Sequence, residues 1–260
     1  MPVRVRSLLR GVASACLAAT LSLAVGGAAF ARGEAVACPD VAPVMGLALP
    51  HLKAAIAHNV QAVIVAFGSS STQGWMASDA AHTYPAVLQR LLSRALPATH
   101  LAVINRGIGG QDAAEELARL DQDVIALRPQ LVIWQVGANG ALEGIDPALF
   151  KRLVVAGIRR MQGAGIDVVL MDNQRAPRIL ASREHLLMEH SLAEIASVTG
   201  SGMFARSALM DAWQAAGRPY AEFIAADKLH QNDLGYRCVA EALARAIVAG
   251  LGSGEMVSTH

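Results

Sequence analysis

Aromatic side chains are scarce in this chain, at 4% of 260 residues. That scarcity argues against a broad stacking platform for a polysaccharide chain. Charge is scarce too: 17% of residues are Asp, Glu, Lys or Arg, with 22 basic against 21 acidic and no basic run. A surface so balanced lacks the electrostatic footprint of a nucleic-acid binder or of a protein held to an anionic membrane. Internal repeats, low-complexity segments and linkers are also missing, so nothing calls for more than one domain of ordinary size. A small neutral molecule is the better partner for such a chain.

Several familiar ligand motifs fail on detail. A phosphate-binding P-loop needs four residues between its glycines and then a lysine, whereas Gly68 and Gly74 enclose five and Trp75 follows. The dinucleotide fingerprint beginning at Gly107 and Gly109 requires a third glycine where Asp112 stands. The GxSxG elbow requires glycine where Thr72 stands. His185 and His190 are five residues apart, which turns their imidazoles roughly 140° around a helix and away from a shared zinc ion. No metal site is expected.

The N-terminus does carry a pattern. Arg4, Arg6 and Arg10 precede an uncharged stretch, residues 11–31, built on Leu17, Leu21, Leu23 and Val25 and closing on Ala29-Phe30-Ala31. A basic start, an apolar middle and an Ala-x-Ala ending describe a secretory signal. The break at Gly26-Gly27 favours its removal over retention as a membrane span. The expected organisation is therefore a signal peptide over 1–31, a lead segment over 32–59, one main domain over 60–251 and a frayed tail over 252–260. Such a chain is periplasmic or secreted, with no stable membrane insertion once the signal is gone, and carries 19 basic against 21 acidic residues. Cys38 and Cys238 survive export, and an oxidising compartment permits a bridge between them. Closing so long a loop is worth on the order of 4 to 5 kcal/mol by chain entropy. Alternatively Cys238 is a small apolar residue on a helix face.

Short apolar runs at 60–67, 101–105, 131–136 and 167–171 read as strands buried on both faces. Helical spacing fills the intervals: Val87, Leu88, Leu91, Leu92 and Ala95 within 84–96, then Leu117, Leu120, Val124 and Leu127 within 112–127. Asp146-Pro147 is a cap followed by a first-turn proline, opening a helix that ends near residue 163. Further helices are expected over 182–198 and 232–251. This alternation predicts an α/β fold, a parallel sheet covered by helices on both sides. In such a sheet ligands bind beyond the carboxyl ends of the strands.

Four segments occupy those places: Gly68-Ser69-Ser70-Ser71-Thr72-Gln73-Gly74, Asn105-Arg106-Gly107-Ile108-Gly109-Gly110, Gly137-Ala138-Asn139-Gly140, and Asp227-Lys228-Leu229-His230 before the last helix. Taken singly each is ordinary, a serine-rich turn, a glycine loop, an asparagine bend or a helix cap. Together they meet the demands of acyl transfer. A serine hydroxyl needs an imidazole to take its proton and a carboxylate to orient that imidazole, roles that fit Ser70, His230 and Asp227. The tetrahedral oxyanion needs fixed donors, which the Ser70 and Gly110 amides and the Asn139 side chain can supply. Trp75 and Met76 after the serine loop, and Asn173, Gln174, Arg175 and Arg178 after the fourth strand, are candidates for the substrate wall, with Arg175 facing an anionic group. A packed tryptophan and a solvated arginine are the plainer alternatives.

In these four segments, Ser70 in GSSSTQG, Gly110 in NRGIGG, Asn139 in GAN and His230 in DKLH, the chain resembles the SGNH (GDSL-type) hydrolase family, in order and spacing from residue 60 to 251. The resemblance implies a three-layer α/β/α sandwich with a flavodoxin-like parallel sheet. It also implies esterase chemistry without metal or organic cofactor, on a small-molecule or glycan ester. Ser69 stands where the family has the aspartate of GDS, and Gly140 where an aspartate usually follows the asparagine. These departures predict altered hydrogen bonding around the site. They also leave open a catalytically silent carbohydrate-binding module, while the same residues serve an O-acyltransferase if a sugar hydroxyl outcompetes water.

Overall fold

A computed structural model describes residues 1–3, 36–41 and 47–252 of the chain. The chain divides into two units, Met1–Ala35 and Val36–His260, and the second contains the sheet and its helices. Beyond residues 1–3 the expected signal peptide lies outside the described residues, as does the expected tail after residue 252.

Five strands form one parallel sheet: β1 (Ala62–Gly68), β2 (Leu101–Gly107), β3 (Leu131–Gln135), β4 (Asp167–Met171) and β5 (Gly202–Phe204), ordered β2-β1-β3-β4-β5. Period two divides their side chains between two cores. Ile64, Ala66, Leu131, Ile133, Val169 and Met171 face one core, and Val65, Phe67, Val132, Trp134, Val168 and Leu170 the other. Burial on both faces is why β1, β3 and β4 are apolar, each large side chain contributing about 1.5–3 kcal/mol relative to exposure, whereas β2, expected to be buried on both faces, lies at the sheet edge and is only partly buried.

The helices are α1 (Pro50–Ala57), α2 (Ser70–Gln73), α3 (Tyr84–Ala95), α4 (Ala113–Ala118), α5 (Leu120–Asp123), α6 (Ala138–Glu143), α7 (Pro147–Gly163), α8 (Pro177–Leu180), α9 (His185–Thr199), α10 (Arg206–Ala215) and α11 (Asp233–Gly252). Tyr84, Leu88 and Leu92 of α3 join Val239, Leu243 and Ile247 of α11 in the first core. Phe150, Val154 and Ile158 of α7 join Leu192 and Ile195 of α9 in the second. The result is the expected three-layer α/β/α sandwich with flavodoxin-like strand order.

Local chemistry sets the helix starts. The Asp146 carboxylate accepts the Leu149 amide at 2.7 Å, with Pro147 behind it. Asp112 and Glu115 form a reciprocal capping box at α4. The single helix expected over 112–127 is instead α4, α5 and a 3₁₀ turn, Ile125–Leu127. The break falls at Arg119, whose side chain reaches the carbonyls of Gly68 and Arg106. The leucine spacing survives because Leu117, Leu120 and Val124 still face one core. The helix expected over 182–198 begins at His185, and β5 and α1 were not foreseen. β5 has three residues, too few to display a period.

Cys38 and Cys238 form a disulfide that ties the lead segment to α11 across a separation of 200 residues. A Cys38→Ser/Cys238→Ser variant should melt about 10 °C lower, from about 5 kcal/mol of lost loop constraint. Equal melting temperatures would show the bridge to be dispensable.

Glu116 is buried in α4 and accepts the Trp134 indole N–H at 2.7 Å. Burial pushes its pKa well above the ordinary 4.5, against the lowering influence of Trp134 and Arg119. The native state therefore holds this proton more tightly than the unfolded chain, and stability falls as pH rises through that window. Glu116→Gln keeps an acceptor for the indole and removes the charge. We expect its thermal stability to fall less than the parent's between pH 4.5 and 7.5, and parallel curves would contradict this.

Candidate active site

The register places Gly107, Gly68, Gln135, Met171 and Phe204 in one row across the carboxyl edge of the sheet. Strand order reverses at β1, with β2 laid on one side of it and β3 on the other, the switch point where this fold opens a crevice. Ser70 follows β1 and Asn139 follows β3, so both stand at that crevice.

Ser70 is the first residue of α2, a single turn whose first amides, at Ser70 and Ser71, have no intrahelical carbonyl to meet. The Ser69 hydroxyl does not cap this turn. It donates instead to Gln135 Oε1 at 3.3 Å, which also accepts the Ser69 amide and the Thr72 hydroxyl, each at 3.2 Å. The serine at the usual aspartate position thus hangs the nucleophile loop on the end of β3. Gly107 is required beside this loop, since a Cβ there would lie 2.0 Å from the Gln73 nitrogen.

His230 reaches the nucleophile from the far end of the chain. Its Nε2 lies 2.8 Å from Ser70 Oγ, and its Nδ1 lies 2.5 Å from Asp227 Oδ2. Asp227 Oδ1 accepts the amides of Leu229 and His230 at 3.0 Å each. Partial burial raises the Asp227 pKa, but the His230 hydrogen bond and the two amides outweigh it and hold the carboxyl below its ordinary value. Asp227 is therefore ionised at neutral pH, as an orienting carboxylate must be.

The turn bearing these residues is pinned from several sides. Ile224 and Gln231 pair as an isolated bridge, and the Ala225 amide donates to the His230 carbonyl at 2.8 Å. Lys228 adopts a left-handed φ of 60° between the two catalytic residues. The buried Gln174 donates to the Leu229 carbonyl at 2.9 Å and accepts from the buried Arg206 at 2.8 Å. The Asn232 side chain accepts the Gly235 amide where α11 begins. Gln174, a candidate wall residue, is thus buried behind the histidine turn, and Arg206 supports it with no motif to announce it.

An open cleft of about 450 Å³ holds Ser70, Gly110, Asn139 and His230 together, with Trp75 and Arg178 among its walls. Gly110 has φ of +83°, which favours glycine, and faces open space where a Cβ would stand. The Asn139 amide donates to the Gln111 carbonyl at 2.7 Å. Trp75 is half exposed, its ring centroid 5.9 Å from that of His230, and its indole donates to Gln73 Oε1 at 3.0 Å. The Tyr236 hydroxyl donates to the Trp75 carbonyl at 2.7 Å.

Other expected wall residues are also placed elsewhere. Met76 is exposed but lies outside the cleft lining. Arg175 is buried, its Nη1 2.5 Å from Glu189 Oε1 and its Nε and Nη2 donating to the two oxygens of Asp211 at 2.9 and 2.8 Å. Burial lowers its pKa, and the two carboxylates more than reverse this, so it stays charged and fully paired. An arginine so engaged has no fork left for an anionic substrate. His190 is exposed and His185 Nδ1 lies 2.7 Å from the Ser182 carbonyl. No group of three metal-ligating side chains occurs among the described residues.

Fold and site together define a serine-nucleophile arrangement, Ser70–His230–Asp227, on an α/β/α sandwich. A model of the Non-GDSL lipase-like family matches residues 35–253, and the chain belongs to that family, a lipase/esterase fold related to the GDSL/SGNH superfamily. A curated relative, Esterase TesA of Pseudomonas aeruginosa, is 28% identical over 115 residues, 44% of this chain; the match spans about half, 52%, of the relative's length. Among solved structures, a lipase/acylhydrolase from Enterococcus faecalis is 25% identical, covering 72% of this chain and 95% of its own, with a TM-score of 0.60. A two-domain esterase active on acetylated mannans is 22% identical, covering 79% of this chain and 55% of its own, with a TM-score of 0.67, a likeness of fold.

Asp227→Asn should lower kcat by about three to four powers of ten with little change in thermal stability, because the imidazole loses its orientation and counter-charge. A loss under about tenfold would show that the carboxylate only shapes the turn.

Proposed function

We propose that this protein is an exported serine esterase that hydrolyses carboxylic esters of small molecules, sugars or lipids through an acyl-enzyme on Ser70, an SGNH-type enzyme in its finer classification. The observation that carries the reading is the continuous hydrogen-bonded chain from Asp227 through His230 to Ser70, opening on a cleft.

Ser70 Oγ attacks the ester carbonyl as His230 Nε2 takes its proton. The carbonyl oxygen becomes an oxyanion held by the Ser70 and Gly110 amides and by the second N–H of Asn139. Each such donor lowers the barrier by about 3–4 kcal/mol. Collapse breaks the C–O bond to the alcohol, which leaves with the proton from His230. Water then attacks the acyl-enzyme, giving its proton to His230, and the acid departs as Ser70 recovers its hydrogen. The chemistry calls for no metal or organic cofactor.

Export is supported by the basic, apolar and small-residue order of the first 31 residues and by the Cys38–Cys238 bridge, which suits a periplasmic or secreted protein. No helix among the described residues is long and apolar enough to cross a membrane. The acetylated-mannan esterase of the same fold makes acetylated sugars sensible first substrates.

The purified chain should release free acid from p-nitrophenyl acetate and from acetylated sugars, and a fluorophosphonate should label it but not Ser70→Ala. Transfer of the acyl group to an added sugar in preference to water would replace the hydrolase reading with an acyltransferase. Absence of labelling and turnover would favour the binding module.

Arg178, not Arg175, is the arginine of the cleft; it is exposed and its side chain has no partner among the described residues. Arg178→Ala should raise KM for esters bearing a carboxylate at least about fivefold while leaving neutral esters unchanged, a difference near 1 kcal/mol. Equal KM changes on both would remove Arg178 from substrate selection.

A further inference from the structure

Besides the Ser70 amide, the oxyanion donors come from two separate segments, a glycine loop after β2 and a six-residue helix after β3, which must hold fixed positions relative to Ser70. One guanidinium joins all three. Arg119 Nη2 donates to the Gly68 carbonyl at 2.9 Å, at the end of the nucleophile strand, and Nη1 donates to the Arg106 carbonyl at 2.9 Å, at the end of β2. Nε donates to Gln111 Oε1 at 2.5 Å, and Nη1 is also 2.9 Å from Asp123 Oδ2. Gln111 follows Gly110, and its main-chain carbonyl accepts the Asn139 amide at 2.7 Å. The Arg119 side chain is 12% exposed, and its guanidinium lies 4.3 Å from the Phe67 ring centroid.

We infer that Arg119 is a positioning residue for catalysis: through Gln111 it locks the Gly110 loop and the Asn139 side chain against the end of the nucleophile strand, so that the oxyanion donors are preorganised before substrate arrives. This role rests on the oxyanion assignment of the proposed function. A lysine cannot take it, because four acceptors in different directions require a rigid planar fork. The geometry also explains the orientation of Asn139. An amide nitrogen carries two hydrogens, and committing one to Gln111 fixes the other toward the cleft. Preorganised donors are effective because they need no rearrangement as charge develops.

The test compares p-nitrophenyl acetate with its thiono analogue, whose sulfur is a poor hydrogen-bond acceptor, in the full chain and in Arg119→Met, Gln111→Ala and Asn139→Ala. Loss of oxyanion positioning lowers kcat for the oxo ester and barely affects the thiono ester, so the ratio of the two rates reports on the hole, which a general loss of folded enzyme would not change. Arg119→Met and Gln111→Ala should each lower the ratio about tenfold with KM within about twofold, a smaller loss than the about hundredfold of a removed donor such as Asn139→Ala. Should Arg119→Met fold poorly, Gln111→Ala decides, since it cuts the link and leaves the strand contacts of Arg119 in place. A lowered ratio in Asn139→Ala with an unchanged ratio in Gln111→Ala and in any folded Arg119→Met overturns the positioning role and leaves the oxyanion hole standing. An unchanged ratio in Asn139→Ala itself overturns the oxyanion assignment, and the role of Arg119 with it.

Discussion

The parallel register of a sheet whose central strands are buried on both faces is the constraint on which the site depends. Strand ends at Gly107, Gly68, Gln135 and Met171 fall in one row, so the segments leaving them must emerge on the same edge. Sliding β1 by one residue would exchange Ile64 and Ala66 with Val65 and Phe67 between cores of different shape. The same slip would carry Ser70 out of reach of His230. Apolar packing thus sets the catalytic geometry at a distance, and the hydrogen bonds at the edge refine it.

That refinement uses short polar side chains and two arginines. Gln135 gathers the serine loop onto β3, Gln174 holds the histidine turn, and Gln73 accepts both the Gly109 amide and the Trp75 indole. Arg206 stands behind the histidine turn and Arg119 behind the oxyanion loop, each buried or nearly so and each donating to main-chain carbonyls. Arg119 also pairs with Asp123, while in the triad it is Asp227 that faces the imidazole of His230.

Ser70, Asp227 and His230 were legible in the sequence because acyl transfer admits few residue types in those roles and each lies next to a strand or helix with a strong apolar period. The central strands were legible for the same reason. Arg175 was misread because its place after β4 says nothing of which way its side chain turns, and its partners Glu189 and Asp211 lie 14 and 36 residues further on. Arg119 left no sign at all: its acceptors at Gly68 and Arg106 are backbone carbonyls, which every residue possesses, 51 and 13 residues away. The helix expected over 112–127 breaks at that residue, where a long-range contact overrides local periodicity. β5 offered too short a run to read.

The proposed mechanism requires that Ser70 carry the acyl group. Acid quenching of the enzyme within milliseconds of mixing with p-nitrophenyl acetate, followed by mass analysis of its peptides, examines that covalent bond directly. An acyl-enzyme on Ser70 predicts an added acetyl group on the peptide containing that residue, absent from His230→Ala and lost from the parent as turnover finishes. An acetyl group found only elsewhere, or turnover with none at any time, would contradict it.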